Sequence, residues 1–167
     1  MDKASQLSAT STKKRLGQGL LLCAVGAIGV FGYSRLASSD QSTLFKRDLA
    51  QGYSEIAKFA ALRTHDSAAQ SYFQNKSDRA RALLDVTPEW PTNWSISPDL
   101  QATMTRDRQN LLLAVERVKT GADPTDEAIA QVNFDCWVAL SSVPSLGAES
   151  ERCKNAFHAA LQQLGDL

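Results

Sequence analysis

The sequence predicts an all-α protein: a single transmembrane helix near the N-terminus, then a helical-hairpin bundle of about five helices. Three observations carry this expectation. Apolar residues recur at three- and four-residue steps after Leu44, no stretch alternates with period two, and β-branched residues are sparse. The uncharged run LGQGLLLCAVGAIGVFGY, residues 16–33, stands apart from that pattern and directly follows Lys13-Lys14-Arg15.

A chain of 167 residues with 43% hydrophobic content has room for one compact domain beside such a segment. Eighteen basic residues balance eighteen acidic ones, so there is no global field to draw in nucleic acid or an anionic surface.

The apolar segment comes first. Eighteen residues rising about 1.5 Å each reach roughly 27 Å, close to the hydrocarbon thickness of a bilayer. The basic residues ahead of it favour a cytoplasmic tail over 1–15, a span over 16–33, a polar linker over 34–43 and a domain over 44–167 on the far side. The same order of features fits a secretory signal cleaved near Ala37-Ser38-Ser39, which would release a soluble protein. Lipidation at Cys23 is disfavoured, because Leu22 precedes it and further apolar residues follow. Gly19, Cys23 and Ala27 fall at four-residue steps, and Gly26, Gly29 and Gly32 at three. Such small-residue stripes let a second membrane helix pack closely, although glycine and alanine are also ordinary in membrane helices.

Phe45, Leu49, Gly52/Tyr53, Ile56 and Ala60 predict a first amphipathic helix over 43–63. THDSAAQ breaks it, and Ser67 with Gln70 forms an S-x-x-Q capping box for the second helix. That helix carries Tyr72, Phe73, Ala80, Leu83 and Leu84, and should stop near Asp85, ahead of VTPEWPTNW. The loop holds Trp90 and Trp94, which either pack on the bundle or bind a ligand. Ser97-Pro98-Asp99 starts a third helix running to about Lys119, with Leu100, Met104, Leu111, Leu112, Val115 and Val118 on its apolar side and Gly121 as its stop. Asp123-Pro124 opens the fourth, with Ile129, Val132, Cys136 and Leu140 in register. Cys153, Phe157, Ala160/Leu161 and Leu164 define the fifth, over 148–164.

Consecutive antiparallel helices place Cys136 and Cys153 on facing stripes, a few residues from the intervening turn. No metal centre is expected: the other candidate ligands are Cys23 and two histidines, His65 and His158, far apart in sequence. A catalytic thiol has poor support too, since His158 lies five residues past Cys153, roughly 140° round the helix. With an export signal upstream, a disulfide is the expected state, the alternative being two unpaired buried thiols. Arg108 interrupts the apolar stripe of the third helix and requires a carboxylate if buried; Asp135 on the following helix is the partner that topology suggests. Otherwise its head reaches solvent from the edge of the stripe.

AQVNFDCW, residues 130–137, followed by CKNAFHAAL, 153–161, resembles the N-terminal helical domain of a group of OmpA-family envelope proteins of Gram-negative bacteria. The residues that carry the resemblance are Phe134, Asp135, Cys136, Trp137, Cys153 and Phe157, with LAQGY at 49–53, Phe73 with Lys76, the Pro/Trp loop and Arg108 in weaker support. It implies an envelope location and a helical, non-catalytic module. Members of that group typically begin as lipoproteins and continue into a peptidoglycan-binding domain that these residues lack, so cell-wall binding is not carried over.

No G-x-S-x-G, H-E-x-x-H, P-loop or glycine-rich nucleotide turn is present, and neither catalysis nor a cofactor is expected. The leading expectation is a single-pass inner-membrane protein whose periplasmic bundle docks to other envelope proteins, as an accessory subunit of a larger complex. AAQSYFQNKSDRA meets a tetratricopeptide-like consensus only in part. The alternative is a soluble periplasmic protein, released by cleavage, that binds a small or cell-wall ligand through Trp90 and Trp94.

Overall fold

The computed structural model describes residues 29–118 and 123–165, with side chains for 40–116 and 123–165. Among them are five α-helices: α1 (Gly29–Phe59), α2 (Ser67–Arg81), α3 (Pro98–Val118), α4 (Pro124–Ser141) and α5 (Gly147–Gly165). The all-α expectation is met. Most of the anticipated membrane span, with Gly19, Cys23, Gly26 and Ala27, lies outside the described residues, as does Gly121; Gly29 and Gly32 fall in the first turns of α1. No helix among the described residues is long and apolar enough to cross a membrane.

The segment 34–43, expected as a linker, is instead helical and continuous with the first bundle helix. Its polarity was the misleading signal. Between Gly32 and Gly52 there is neither glycine nor proline, so nothing in the sequence stops helix propagation, and small polar residues are compatible with a helix as well as a loop.

A π-helical turn, Ala60–Thr64, ends α1, and His65 reverses the chain at φ 52°. Asp66, one residue before the expected capping box, caps α2 by accepting from the Ala69 amide at 2.9 Å. Ser67 is already helical. α2 stops at Arg81, earlier than expected, in a left-handed closure: Leu83 at φ 60°, with Leu84 N–H donating to Arg79 O and Leu83 N–H to Ala80 O, both at 2.9 Å. Leu83 and Leu84 therefore leave the predicted stripe and are about half exposed. Pro98 begins α3 as anticipated, and Asp123 caps α4 through the Thr125 amide ahead of Pro124.

α1 and α2 form one hairpin, since Lys46 near the start of the described side chains reaches Leu83 O and Ala50 O accepts from Ser77. α4 and α5 form another, tied near their turn by Ser141 and Ser150. α4 joins them, supplying Ala128 and Ala139 to the cluster around Leu49, Tyr53 and Phe73, and Phe134, Trp137 and Val138 to the cluster around Met104, Leu111 and Phe157. Because α4 is enclosed on more than one side, its buried residues do not follow the predicted line: Ile129 is 43% exposed while Gln131 and Asp135 are buried. Gly52 lets α1 approach it, for a Cβ there would stand 2.5 Å from Val132 Cγ2.

Candidate functional site

The loop between α2 and α3 is fastened to the bundle by a buried cluster of charges. Lys76 lies on the apolar face of α2, one turn from Phe73 and Ala80, and its ammonium is almost sealed from water. All three of its protons are used: it donates to Thr87 O at 3.1 Å, Glu89 Oε1 at 2.5 Å and Asp135 Oδ2 at 2.6 Å. Asp135 is fully buried and also accepts from Tyr53 OH at 2.6 Å and from the Glu89 amide at 2.7 Å. Glu89 accepts further from Tyr72 OH at 2.9 Å and Trp94 Nε1 at 3.0 Å. Gln131 completes the set, donating to Tyr53 OH at 2.9 Å and Val86 O at 2.7 Å.

Arg108 and Asp135, the pair suggested by the sequence, are both buried but do not bond to each other. Lys76 is the cation at Asp135. Arg108 instead donates to Glu89 O at 2.9 Å and Pro88 O at 3.3 Å, while its guanidinium lies 3.7 Å from the centre of the Trp90 ring. The physical reason is that the loop crosses between the two helices, so its carbonyls meet the guanidinium first. Such a planar donor fork suits two adjacent carbonyls.

Burial raises the Asp135 carboxyl to about 6, although Lys76 and the Glu89 amide pull it down. Burial beside Asp135 also raises the Tyr53 phenol, and burial beside Glu89 raises that of Tyr72, so both remain protonated donors. Among the described residues no buried side-chain nitrogen or oxygen lacks a partner. A cluster so satisfied anchors a loop.

The two tryptophans of that loop part company. Trp94 is wedged between the apolar clusters, edge-on to Tyr72 and stacked 6.1 Å from Phe73. Trp90 remains 52% exposed and borders a cleft of about 300 Å3 between α2 and the loop, with Tyr72, Asn75, Arg79, Thr87 and Asn93. A second hollow of about 390 Å3 shares Tyr72 and Asn93 and is closed by Asp66 and Trp94.

Cys136 and Cys153 stand at disulfide distance, with Cα atoms 5.8 Å apart, as the facing stripes predict. They border an apolar groove of about 320 Å3 with Ile56, Phe59, Val132 and Leu140. His158 turns away from them and meets Asp107 on α3 at 3.3 Å. Among the described residues no group of three His, Cys, Asp or Glu side chains could hold a metal ion.

Sequence reasoning missed the Lys76–Glu89–Asp135 cluster. The signal was present: an ionisable residue on the same face as Phe73 and Ala80 demands a buried counter-charge, as Arg108 did. Glu89 carried no such mark, because a lone acid in a proline-rich loop reads as solvated. No family model matches the chain, and no curated protein or solved structure gives a significant match.

Proposed function

We propose that the chain is a non-catalytic helical module, anchored by residues 16–33 in an inner membrane, whose bundle lies in the periplasm and docks to other envelope proteins. An accessory subunit of a larger membrane complex is the form this takes. The observation that carries the reading is the cysteine pair: two thiols at bonding distance, behind a basic and then uncharged leader, belong in an oxidising compartment. The saturated charge cluster supports a module without catalysis, since its groups hold one another rather than a reacting molecule.

The resemblance to the helical domain of OmpA-family proteins gains a physical rationale within this reading. Phe134, Trp137 and Phe157 pack ring against ring, and Asp135 holds Lys76, so the shared residues are those that close the core. The hairpin pairing of α1 with α2 and α4 with α5 is compatible with a tetratricopeptide-like arrangement, which supports partner binding by analogy alone.

Crosslinking in intact cells, then capture of the full chain in mild detergent, tests the proposal. Recovery of defined envelope proteins is expected, and recovery of the bait by itself would sink the docking reading. A second reading, a soluble periplasmic protein released by cleavage, draws on the exposed Trp90 at the rim of a polar cleft. N-terminal mass analysis separates the two: residues 1–33 intact in the membrane fraction for the anchor, a start near Asp40 for release.

A further inference from the structure

The cleft between α2 and the tryptophan loop has a composition that selects a class of ligand. The charges lining it cancel: Lys76 is held by Glu89 and Asp135, and the exposed Arg79, which donates to Asp85 O at 3.1 Å, stands beside the exposed carboxylate of Asp85. The lining as a whole therefore carries no net charge to favour an anion or a cation. The neutral groups are left available. The side chains of Asn75, Thr87 and Asn93 are exposed on the cleft, and the rings of Trp90 and Tyr72 are about half exposed. Aromatic faces carry negative potential that attracts C–H groups, and free amides and a hydroxyl can exchange hydrogen bonds with alcohols.

We infer that this cleft binds a neutral saccharide, with the apolar face of a sugar ring on Trp90 or Tyr72 and its hydroxyls on Asn75, Thr87 and Asn93. Tyr72 and Asn93 also border the adjoining hollow, so the surface accommodates more than one ring. Pockets of roughly 300–1,000 Å3 are usual for small ligands, and both hollows lie at the lower end of that range. Trp94, though part of the same sequence motif, contributes through its packing and not as a platform. The inference rests on the ligand-binding reading above, but not on whether the leader is cleaved.

The test is a titration of the purified full chain, in a sugar-free detergent, with chitotriose, cellotriose or maltotriose. Inorganic phosphate and choline serve as charged probes. Tryptophan fluorescence and the indole N–H resonances give the readout. At least one trisaccharide should bind saturably with a Kd below about 10 mM, weakened about tenfold or more by Trp90→Ala. Because Trp90 also covers Arg108, the double variant Asn75→Ala/Asn93→Ala is the cleaner probe: it should lose binding to the same extent while its melting curve stays unchanged. No saturable response to any trisaccharide overturns the inference, as does a saturable response to phosphate or choline alone, or binding that survives both variants. The mass of the N-terminus is read separately, so failure here leaves the question of release where it stands.

Discussion

Lys76 and Asp135 lie 59 positions apart in the chain, yet their charged atoms meet at 2.6 Å inside the bundle. That contact, with Glu89 as the second acid on Lys76, makes a proline-rich loop part of the core. Removing one member strands the others. Asp135→Ala should cost about 3–5 kcal/mol, since it leaves a buried ammonium short of a partner together with the Tyr53 hydroxyl and the Glu89 amide. Urea unfolding at neutral pH measures this, and a change below about 1 kcal/mol would show that the cluster contributes little.

The same carboxyl sets a pH dependence of unusual sign. With its folded value near 6 against an ordinary 3.8, Asp135 keeps, between those two pH values, a proton in the folded protein that the unfolded chain has released. Stability from this group is therefore greatest below about pH 4, falls as pH rises to about 6 and is fully lost above it. The change is on the order of 3 kcal/mol. Asp135→Asn removes the titration, so subtracting its pH–stability profile from that of the parent protein should expose this slope. Parallel profiles would refute it.

Cys136 and Cys153 enclose a loop 17 residues apart in sequence. Oxidation should add about 3 kcal/mol by restricting the unfolded chain. Reduction, or Cys153→Ser, should lower Tm by about 10 °C. Alkylation without reductant should leave both thiols unlabelled in native material; labelling of both would remove the basis for an oxidising compartment.

At Gly52 an added side chain would collide with its neighbour on α4. The obstacle is Val132, whose two methyl groups would sit 2.5 and 2.7 Å from an added Cβ. Gly52→Ala should destabilise by about 1–3 kcal/mol despite alanine's better helix propensity. Val132→Ala in the same molecule should recover part of the loss, and an additive double variant would argue against the contact.

Arg108→Lys keeps the charge but not the fork that spans Pro88 O and Glu89 O. It should cost about 1–2 kcal/mol and speed amide exchange in residues 86–90 more than in α5. Equal exchange rates would indicate that the loop is held without it.

Helix positions were legible where local signals sufficed: Pro98 and Asp123-Pro124 open helices as their chemistry dictates, and the Cys153, Phe157, Leu164 stripe faces inward. Those signals concern neighbours in sequence. The pairing of Arg108 failed because Asp135 had two claimants, and only the three-dimensional path of the 85–97 loop decides between them. Ile129 failed for a related reason, since a helix surrounded by others has no single apolar line to read. The capping role of Asp66 turns on one residue of register, and the early left-handed stop that exposes Leu83 on a backbone choice at a non-glycine residue; periodicity reports neither.

α4 contributes to both apolar clusters, and Trp94 touches each. Cutting the polypeptide between Trp94 and Pro98 would therefore give two fragments, neither owning a complete interior: the first would lack the wall that Ala128 and Ala139 provide, and the second would lose the indole that fills its rim. Each alone should be unfolded, and mixing them should restore a single cooperative melt.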